Sequence, residues 1–374
     1  MTLGKYGVRL AALAVVIVVV SVLLSGVGSV NKEKSVFLAE TERFVFEQLV
    51  MPNGGVKTNF LETEYTIDYA TGYDVLSESQ GLLMRYAVLT SNLELFTKAL
   101  QYVEEKLLNE GVVAYRYSDE FGVFPVNAAI DDLRIIRALF EAAEVFADPD
   151  YREIAAGYGQ YMYQSNVTGN NLVDYYDSQY KQQSSFLTLC YGDLATIRLL
   201  SELDQRWISV YESTLAVLQG GYISDEFPLF ATSYDYVTGS YSTADITTCQ
   251  SLIVAVHLAE IGACPDATVA FVKDLVSRGE LYSMYDMSGA PLDDVHSTVN
   301  YALALILGFL SEDAELQQEG YDLMMKYWVE DKDSPVYGGF ADVVTTDAYA
   351  FNNLYGLLAM LLMETDDLIL MELW

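Results

Sequence analysis

The chain has 374 residues, of which 52% are hydrophobic, so it can bury a substantial core in one large or two ordinary domains. Lys and Arg number 20 against 53 Asp and Glu, and the resulting net charge of -33 repels phosphate backbones and anionic membrane surfaces. This composition excludes an intrinsically disordered chain and makes nucleic acid an unsuitable partner.

The N-terminus has the pattern of an export signal. Lys5 and Arg9 precede a nearly unbroken apolar run from Leu10 to Leu24, and small residues follow this run. The run is at the upper limit for a cleaved signal peptide and short for a membrane span, so both release and anchoring are compatible with it.

We therefore expect residues 1–30 to be a signal peptide or membrane anchor and residues 31–374 to form an extracytoplasmic domain. The membrane would be contacted only through the N-terminal segment. The three cysteines, Cys190, Cys249 and Cys264, fit neither a disulfide framework nor a CxxC metal site, and no cysteine follows the apolar run to carry a lipid. Buried free thiols are the expected state.

Apolar positions spaced three and four apart recur almost to the C-terminus, which predicts a helical domain. Twelve helices are predicted, at 36–50, 75–90, 92–108, 130–146, 149–166, 184–202, 205–219, 243–261, 265–277, 294–310, 313–328 and 345–363.

The connections between these helices alternate in length from residue 75 onward. Short turns join the members of a pair, and stretches of roughly 15 to 25 residues precede each pair, which is the pattern of antiparallel hairpins separated by functional loops. If six hairpins close into a ring, all long loops fall at one end, so the sequence predicts an (α/α)6 barrel with a cleft built by loops. A helical solenoid is the alternative, although no fixed-period repeat is visible.

Acidic residues open several helices that follow the long loops, namely Glu78, Asp131, Asp132, Asp245, Asp293, Asp294 and Asp347. Ordinary N-capping accounts for any one of them. Glu78 differs because small polar residues flank it and the apolar residues 82–84 follow closely. A carboxyl at the mouth of a helical core is desolvated, which raises its pKa and suits it to donate a proton.

The long loops are also rich in tyrosine, whose ring can pack on the apolar faces of sugars while its hydroxyl bonds theirs. Packing within the loops is the alternative role for each one. These residues are Tyr65, Tyr69, Tyr73, Tyr115, Tyr117, Tyr175, Tyr176, Tyr180, Tyr222, Tyr234, Tyr236, Tyr241, Tyr282 and Tyr285.

From Gly54 to the C-terminus the chain resembles the family 8 glycoside hydrolases, which act on β-glucans, chitosan, xylan and exopolysaccharides. The segment from Leu76 to Met84 is similar to the family motif Ser-Glu-Gly-Gln-Gly, so the resemblance implies that Glu78 is the general acid. Ser184 and Ser185 resemble the family's Ser-Tyr helix start.

The segment Ala128 to Ile135 resembles the family's Ala-Thr-Asp-Gly-Asp-Leu-x-Ile, in which an Asp binds and distorts the sugar at the cleavage point. Alignment on Leu133 and Ile135 assigns this role to Asp132, whereas a slip of one residue would assign it to Asp131.

Asp245 falls where the family places its catalytic base within Tyr-Asp-Ala-x-Arg, but this chain lacks both the Tyr and the Arg. Asp225, Asp235 and Asp293 are therefore further candidates for the base. The resemblance implies an inverting mechanism, which requires two carboxyl groups on opposite sides of the scissile bond.

The sequence thus predicts a monomeric, inverting hydrolase of internal β-glycosidic bonds in a polysaccharide. The predicted catalytic residues are Glu78, Asp245 and Asp132, and the predicted substrate contacts are Asp131, Gln80, Tyr73, Tyr115, Tyr241 and Ser185. No cofactor or metal is expected, because the two histidines, His257 and His296, form no ligand pair in the sequence. A noncatalytic polysaccharide-binding or secretion accessory protein with a degenerate site is the alternative.

Overall fold

The computed structural model describes residues 34–364, so the predicted signal or anchor at 1–30 lies outside the described residues. Twelve α-helices of nine or more residues occur in the described part of the chain. They are α1 Val36–Phe44, α2 Ser77–Leu89, α3 Leu93–Tyr102, α4 Ala129–Val145, α5 Asp150–Asn166, α6 Leu194–Leu203, α7 Arg206–Gly220, α8 Thr248–Ala259, α9 Asp266–Arg278, α10 Thr298–Leu310, α11 Ala314–Met324 and α12 Ala350–Glu364.

The prediction of twelve helices joined alternately by short turns and long loops is confirmed. The predicted start of the helix at 184–202 is wrong by ten residues, because α6 begins at Leu194. Residues 186–188 instead form a strand that pairs with 233–235 in another long loop. Local periodicity could not reveal this pairing, since the partner strand is distant in sequence.

Six helices form a closed inner ring, in which each contacts the next in the order α2, α4, α6, α8, α10, α12 and back to α2. The other six lie outside this ring, and the whole is an (α/α)6 barrel. Every long loop leads into an inner helix, so the N-termini of the inner helices meet at one end of the barrel.

The burial of each helix follows from its place in these two layers. In α10, eleven consecutive residues from Thr298 to Gly308 are buried, because neighbours cover an inner helix on all sides. In α3, only Phe96, Ala99, Leu100 and Tyr102 are buried, which is the single apolar stripe of an outer helix. Within residues 34–364, no helix is both long enough and apolar enough to cross a membrane.

Short antiparallel strands connect the long loops. They are β1 Val75–Leu76, β2 Leu108–Asn109, β3 Val112–Val113, β4 Arg116–Ser118, β5 Gly122–Val123, β6 Val167–Thr168, β7 Asn171–Leu172, β8 Tyr176–Asp177, β9 Gln182–Gln183, β10 Phe186–Thr188, β11 Ser233–Asp235, β12 Ser240–Tyr241, β13 Ile246–Thr247 and β14 Met284–Tyr285. Among the described residues, two sheets have three strands, one formed by β1, β4 and β5 and the other by β10, β11 and β12.

A buried ion pair fixes the loop that leads into α2. Nη2 of Arg116 lies 2.7 Å from Oδ2 of Asp74, and both side chains are fully buried. The same guanidinium donates hydrogen bonds to the carbonyl oxygens of Thr66 and Ile67. Because β4 supplies Arg116 and the loop supplies its acceptors, this pair ties the loop to the sheet beside α2.

We predict that Arg116→Met lowers the free energy of unfolding by about 3–5 kcal/mol, because it leaves the Asp74 carboxylate buried without its partner. Urea titration followed by circular dichroism measures this loss. The matched control is Lys98→Met, which breaks the exposed pair between Lys98 and Glu94 and should change the free energy of unfolding far less, because water screens an exposed pair. Equal losses in the two variants would contradict the assigned role of Arg116.

Candidate active site

Glu78 is the second residue of α2, at the end of the barrel where the long loops meet. Its side chain is 30% exposed and faces a cleft of about 250 Å³. Thr58, Leu76 and Ser79 line this cleft together with residues 349, 351 and 352 around the start of α12. The side chain of Tyr349 is 48% exposed there, which leaves an aromatic face open beside the carboxyl.

Two residues of α4 surround the Glu78 carboxyl from the neighbouring inner helix. Nη1 of Arg134 lies 3.7 Å from Oε2 of Glu78 and 3.1 Å from Oδ1 of Asp131. Asp131 also accepts a hydrogen bond of 2.8 Å from the Ser77 hydroxyl and another from the Glu78 backbone N–H. Asp131 therefore caps the first turn of α2 from another helix, a task that the apolar Leu76 side chain at the cap position cannot perform.

Burial raises the pKa of Glu78 to about 7, and the negative charge of Asp131 adds to this rise, while the Arg134 guanidinium opposes it. Burial also raises the pKa of Asp131, although Arg134 and Ser77 stabilise its charged form. A carboxyl with a pKa near 7 is protonated in a large fraction of molecules at neutral pH and can still lose its proton. Glu78 is therefore suited to general acid catalysis.

The close approach of α2 and α4 depends on Gly81. A Cβ atom at position 81 would lie 2.8 Å from the Cβ atom of Arg134, closer than real side chains pack. The absence of a side chain at this position lets α4 place Asp131 and Arg134 directly beside the first turn of α2.

Asp132 lies on a different side of α4 from the Glu78 site. Its Oδ2 accepts a hydrogen bond of 2.6 Å from Asn127, and its Oδ1 has no partner among the described residues. The carboxyl lines a small cavity together with Tyr158 and Met162, next to the outer helix α5. The geometry therefore favours Asp131 over Asp132 as the residue beside the general acid, which is the alternative register of the second motif.

Asp245 is exposed at the end of a long loop, immediately before β13 and α8. In the ring of inner helices, α8 stands diagonally across from α2. Asp245 thus enters the loop end from the side of the barrel opposite Glu78. Cys249, in the first turn of α8, is near enough to Glu78 for the carboxylate to add to the rise that burial produces in the pKa of the thiol.

The carboxyl groups of the other base candidates accept hydrogen bonds from residues of the loops around them. Oδ1 of Asp235 accepts the backbone N–H groups of Val237 and Thr238, both at 2.8 Å. Asp293 accepts hydrogen bonds from the backbone of Ser283 and Val295, both at 3.2 Å. Asp225 accepts a hydrogen bond of 3.0 Å from the Tyr222 hydroxyl.

Two predicted substrate contacts point into the protein instead of the cleft. The fully buried Gln80 amide accepts a hydrogen bond from Val56 and donates to the carbonyls of Gly54 and Ala99, so it holds a loop in place. The Tyr241 hydroxyl donates a hydrogen bond of 2.8 Å to the carbonyl of Val217 on an outer helix. Both residues are therefore omitted from the proposed substrate contacts.

The other three predicted substrate contacts, Tyr73, Tyr115 and Ser185, lie in the long loops and are partly or fully exposed to solvent. Tyr73 is half-buried, and its ring centre is 4.1 Å from Nζ of Lys57. Tyr115 is half-buried against Phe124, with ring centres 5.8 Å apart. Ser185 is exposed, and its carbonyl accepts the backbone N–H of Tyr236. Contact of these residues with substrate stays a prediction.

Sequence reasoning missed two residues of this site. Arg134 could have been noticed because it stands three positions after Asp131, a spacing at which helical side chains meet. Tyr355 gives no such signal: it lies 221 residues from Arg134, yet its hydroxyl accepts a hydrogen bond of 3.2 Å from Nη2 of Arg134.

One group of side chains inside the barrel has the composition of a metal site. Single donor atoms of Asp193, His257 and Glu260 lie within 4.8 Å of one another. However, Nη1 of Arg137 is 2.5 Å from Glu260 and 4.0 Å from Asp193, so a permanent cation already neutralises these carboxylates. We interpret the group as a buried ion-pair network that ties α4 to α8.

No protein-family model matches the chain. The chain is 26% identical over 331 residues to YdaJ of Bacillus subtilis (strain 168), which is named as a proposed lipoprotein, and the match covers 86% of each chain. A solved structure from Clostridium perfringens, described as a novel alpha-amylase, is 30% identical with a TM-score of 0.82, and the match covers 87% of this chain and 97% of that one. The fold is also that of an endoglucanase from Klebsiella pneumoniae, a family 8 glycosyl hydrolase, at 16% identity and a TM-score of 0.60 over 86% of this chain and 98% of that one.

We predict that Asp132→Asn and Asp131→Asn change stability in opposite directions. Burial raises the pKa of Asp132 well above its ordinary value, so folding favours the protonated form and stability falls as pH rises above the unfolded pKa of about 4. Asn at position 132 removes this loss and can still accept the bond from Asn127. The pKa of Asp131 is also raised by burial, but its two oxygens accept hydrogen bonds from Ser77, Arg134 and the Glu78 backbone N–H. Asn at position 131 replaces one of these acceptors with a donor and should therefore destabilise the fold.

Urea midpoints measured at pH 5 and pH 8 test both statements. The midpoint of Asp132→Asn should exceed that of the parent, by more at pH 8 than at pH 5. A midpoint below that of the parent at pH 8 would show that Asp132 is needed as an anion.

Proposed function

Because the chain belongs to the family 8-like glycoside hydrolases, we propose that it hydrolyses internal glycosidic bonds of a polysaccharide, with Glu78 as the general acid. One observation carries this proposal: a single carboxyl with a pKa of about 7 opens onto the cleft at the loop end of the barrel. Protonated Glu78 would donate its proton to the glycosidic oxygen as the bond to the leaving sugar breaks.

Asp131 and Arg134 would hold this acid in place. Asp131 binds both the hydroxyl of Ser77 and the backbone N–H of Glu78, so it restrains the turn that carries the carboxyl. We therefore assign to Asp131 the positioning role that the alignment had given to Asp132.

Asp245 is the proposed base. An inverting mechanism needs a carboxylate across the sugar ring from the acid, about 6.5–9.5 Å away, with a water molecule between it and the anomeric carbon. The placement of Asp245 before α8, opposite α2 in the ring, supports this role. Ionised Asp245 would take a proton from that water as its oxygen attacks.

The linkage of the substrate is the finer part of the proposal. The resemblance in sequence favours a β-linked polymer, whereas the Clostridium perfringens relative is described as an alpha-amylase. Release of reducing ends from β-glucans, chitosan, xylan, exopolysaccharides, starch and glycogen distinguishes the two linkages. Polymer binding without reducing-end release from any of these substrates would favour a noncatalytic accessory protein. The observation that supports this alternative is the exposed Asp245, which lacks the Arg that follows the base in the family motif.

We further propose that the protein acts outside the cytoplasm. The basic start and apolar run of residues 1–30 support export, and the Bacillus subtilis relative is named as a proposed lipoprotein. A lipid anchor of that kind needs a cysteine after the apolar run, and the cysteines of this chain lie at positions 190, 249 and 264. Cell fractionation tests this location.

We predict that Glu78→Gln lowers kcat by about 10²- to 10⁴-fold, the usual contribution of a general acid. The amide keeps the shape of the side chain but has no transferable proton, so polymer affinity and the thermal midpoint should be nearly unchanged. The parent enzyme should lose activity above pH 7, as Glu78 with its pKa of about 7 becomes ionised. Retention of more than about a tenth of the activity in Glu78→Gln would remove this residue from the acid role.

We predict that Asp245→Asn also abolishes hydrolysis and that azide restores turnover to Asp245→Ala, because a small anion can attack in place of the activated water. The acidic limb of the pH–rate profile should disappear from any residual activity of Asp245→Asn. The matched control is Asp235→Asn, which alters a loop carboxylate bound to its own turn and should preserve activity. An active Asp245→Asn enzyme with an unchanged acidic limb would transfer the base role to another residue.

A further inference from the structure

Arg134 stands at an unusual distance from the proposed acid. The separation of 3.7 Å between its Nη1 and Oε2 of Glu78 is within ion-pair range but too long for a hydrogen bond. Its side chain is only 11% exposed, so water screens its charge weakly. A direct hydrogen bond from this guanidinium would stabilise the charged form of Glu78 and hinder proton donation.

Two contacts keep the guanidinium away from Glu78. On one side, Nη1 lies 3.1 Å from Oδ1 of Asp131. On the other side, Nη2 donates a hydrogen bond of 3.2 Å to the hydroxyl of Tyr355 on α12. The first contact lies within α4, whereas the second comes from α12, which neighbours α2 on its other side in the ring.

The restraint from Tyr355 matters because Arg134 borders a small cavity. This second cavity, of about 50 Å³, is lined by both Arg134 and Tyr355. Close packing is therefore incomplete beside the guanidinium, which leaves it room for a small shift toward or away from Glu78. The ring of Tyr355 is itself fixed against Phe351, with centres 4.9 Å apart, and Phe351 lines the cleft of Glu78.

We propose that Tyr355 is a positioning residue that, together with Asp131, holds the Arg134 guanidinium beside Glu78 at a distance at which the carboxyl can still carry its proton. Arg134 then orients the acid without neutralising it. The proposal rests on the proposed function, since it assigns a purpose to the proton on Glu78.

Other titratable groups around Glu78 and Arg134 come from four elements. Asp131 lies on α4, Tyr355 on α12 and Cys249 on α8. The turn at 189–191 adds Cys190 and Tyr191, whose thiol and phenol are near enough to interact with the charge of Arg134. Burial raises the pKa of both of these groups beyond the working range of the enzyme, so neither should titrate with Glu78.

The test is the pH–rate profile of Tyr355→Phe, measured with the parent and Arg134→Met. Without the phenol, Arg134 can close on Glu78, so the basic limb of the profile should move to lower pH by about one unit. Arg134→Met removes the positive charge, so its basic limb should move to higher pH by a similar amount. A purely structural role of Tyr355 would lower kcat equally at all pH values and leave both limbs in place.

Carbon-13 NMR titration of the Glu78 carboxyl, identified by comparison with Glu78→Gln, provides a readout independent of turnover. Its pKa should fall in Tyr355→Phe and rise in Arg134→Met. Unchanged values in both folded variants would overturn the positioning role, even in an active enzyme. If the parent cleaves no polymer but these shifts occur, the restraint on Arg134 stands and the proposed hydrolase function fails.

Tyr327→Phe is the matched control, since Tyr327 is a half-buried tyrosine that stacks on Tyr301 with ring centres 6.1 Å apart. It should leave the basic limb and the Glu78 pKa unchanged. A shift equal to that of Tyr355→Phe would attribute the effect to general loosening of the barrel and contradict the assignment.

Discussion

The close contact between Gly81 and Arg134 determines how the first turn of α2 meets α4. Because position 81 has no side chain, the two inner helices approach closely enough for Asp131 to reach the Ser77 hydroxyl and the Glu78 backbone. The same approach brings a guanidinium to within 3.7 Å of Glu78. A larger residue at position 81 would separate the helices and remove both contacts, so the electrostatics of the proposed acid depend on this packing.

The candidate active site and the strongest buried ion pairs lie at different depths along the barrel axis. At the loop end, the inner helices start beside a solvent-open cleft, and their carboxyl groups are only partly compensated by positive charge. Deeper inside the ring, Arg137 bonds to Glu141 at 2.9 Å and to Glu260 at 2.5 Å. Strong pairing keeps Glu260 ionised, with Arg137 lowering its pKa to about 2 against the effect of burial. Weak pairing near the cleft leaves Glu78 able to exchange a proton.

The long loops gain their order from buried polar contacts as well as from short strands. Asp74 and Arg116 anchor the loop before α2, and Asn127 joins Asp132 to Asn166 at the start of α4. Such contacts are costly to break, because each lost partner leaves a desolvated polar group. These contacts hold the loops around the cleft in place in a structure whose described residues contain no disulfide and no sheet of more than three strands.

The sequence by itself determined the helical class, the twelve helices and their alternating connections, because apolar periodicity and loop length are local properties of the chain. It also pointed to Glu78, which combines an acidic side chain with an apolar run at a helix start. It did not determine the register of the second motif, since Asp131 and Asp132 are adjacent and both acidic. Only the tertiary structure separates them, because successive residues of α4 project toward different neighbours.

Tertiary structure alone likewise revealed the strand at 186–188 and the contact between Tyr355 and Arg134. In both cases the partner is distant in the chain, and no local pattern encodes which distant group it will meet. The pKa of Glu78 belongs to the same class, since it depends on burial by one helix and on charges supplied by another. Sequence therefore identified the proposed acid, whereas packing between helices decided its proton affinity.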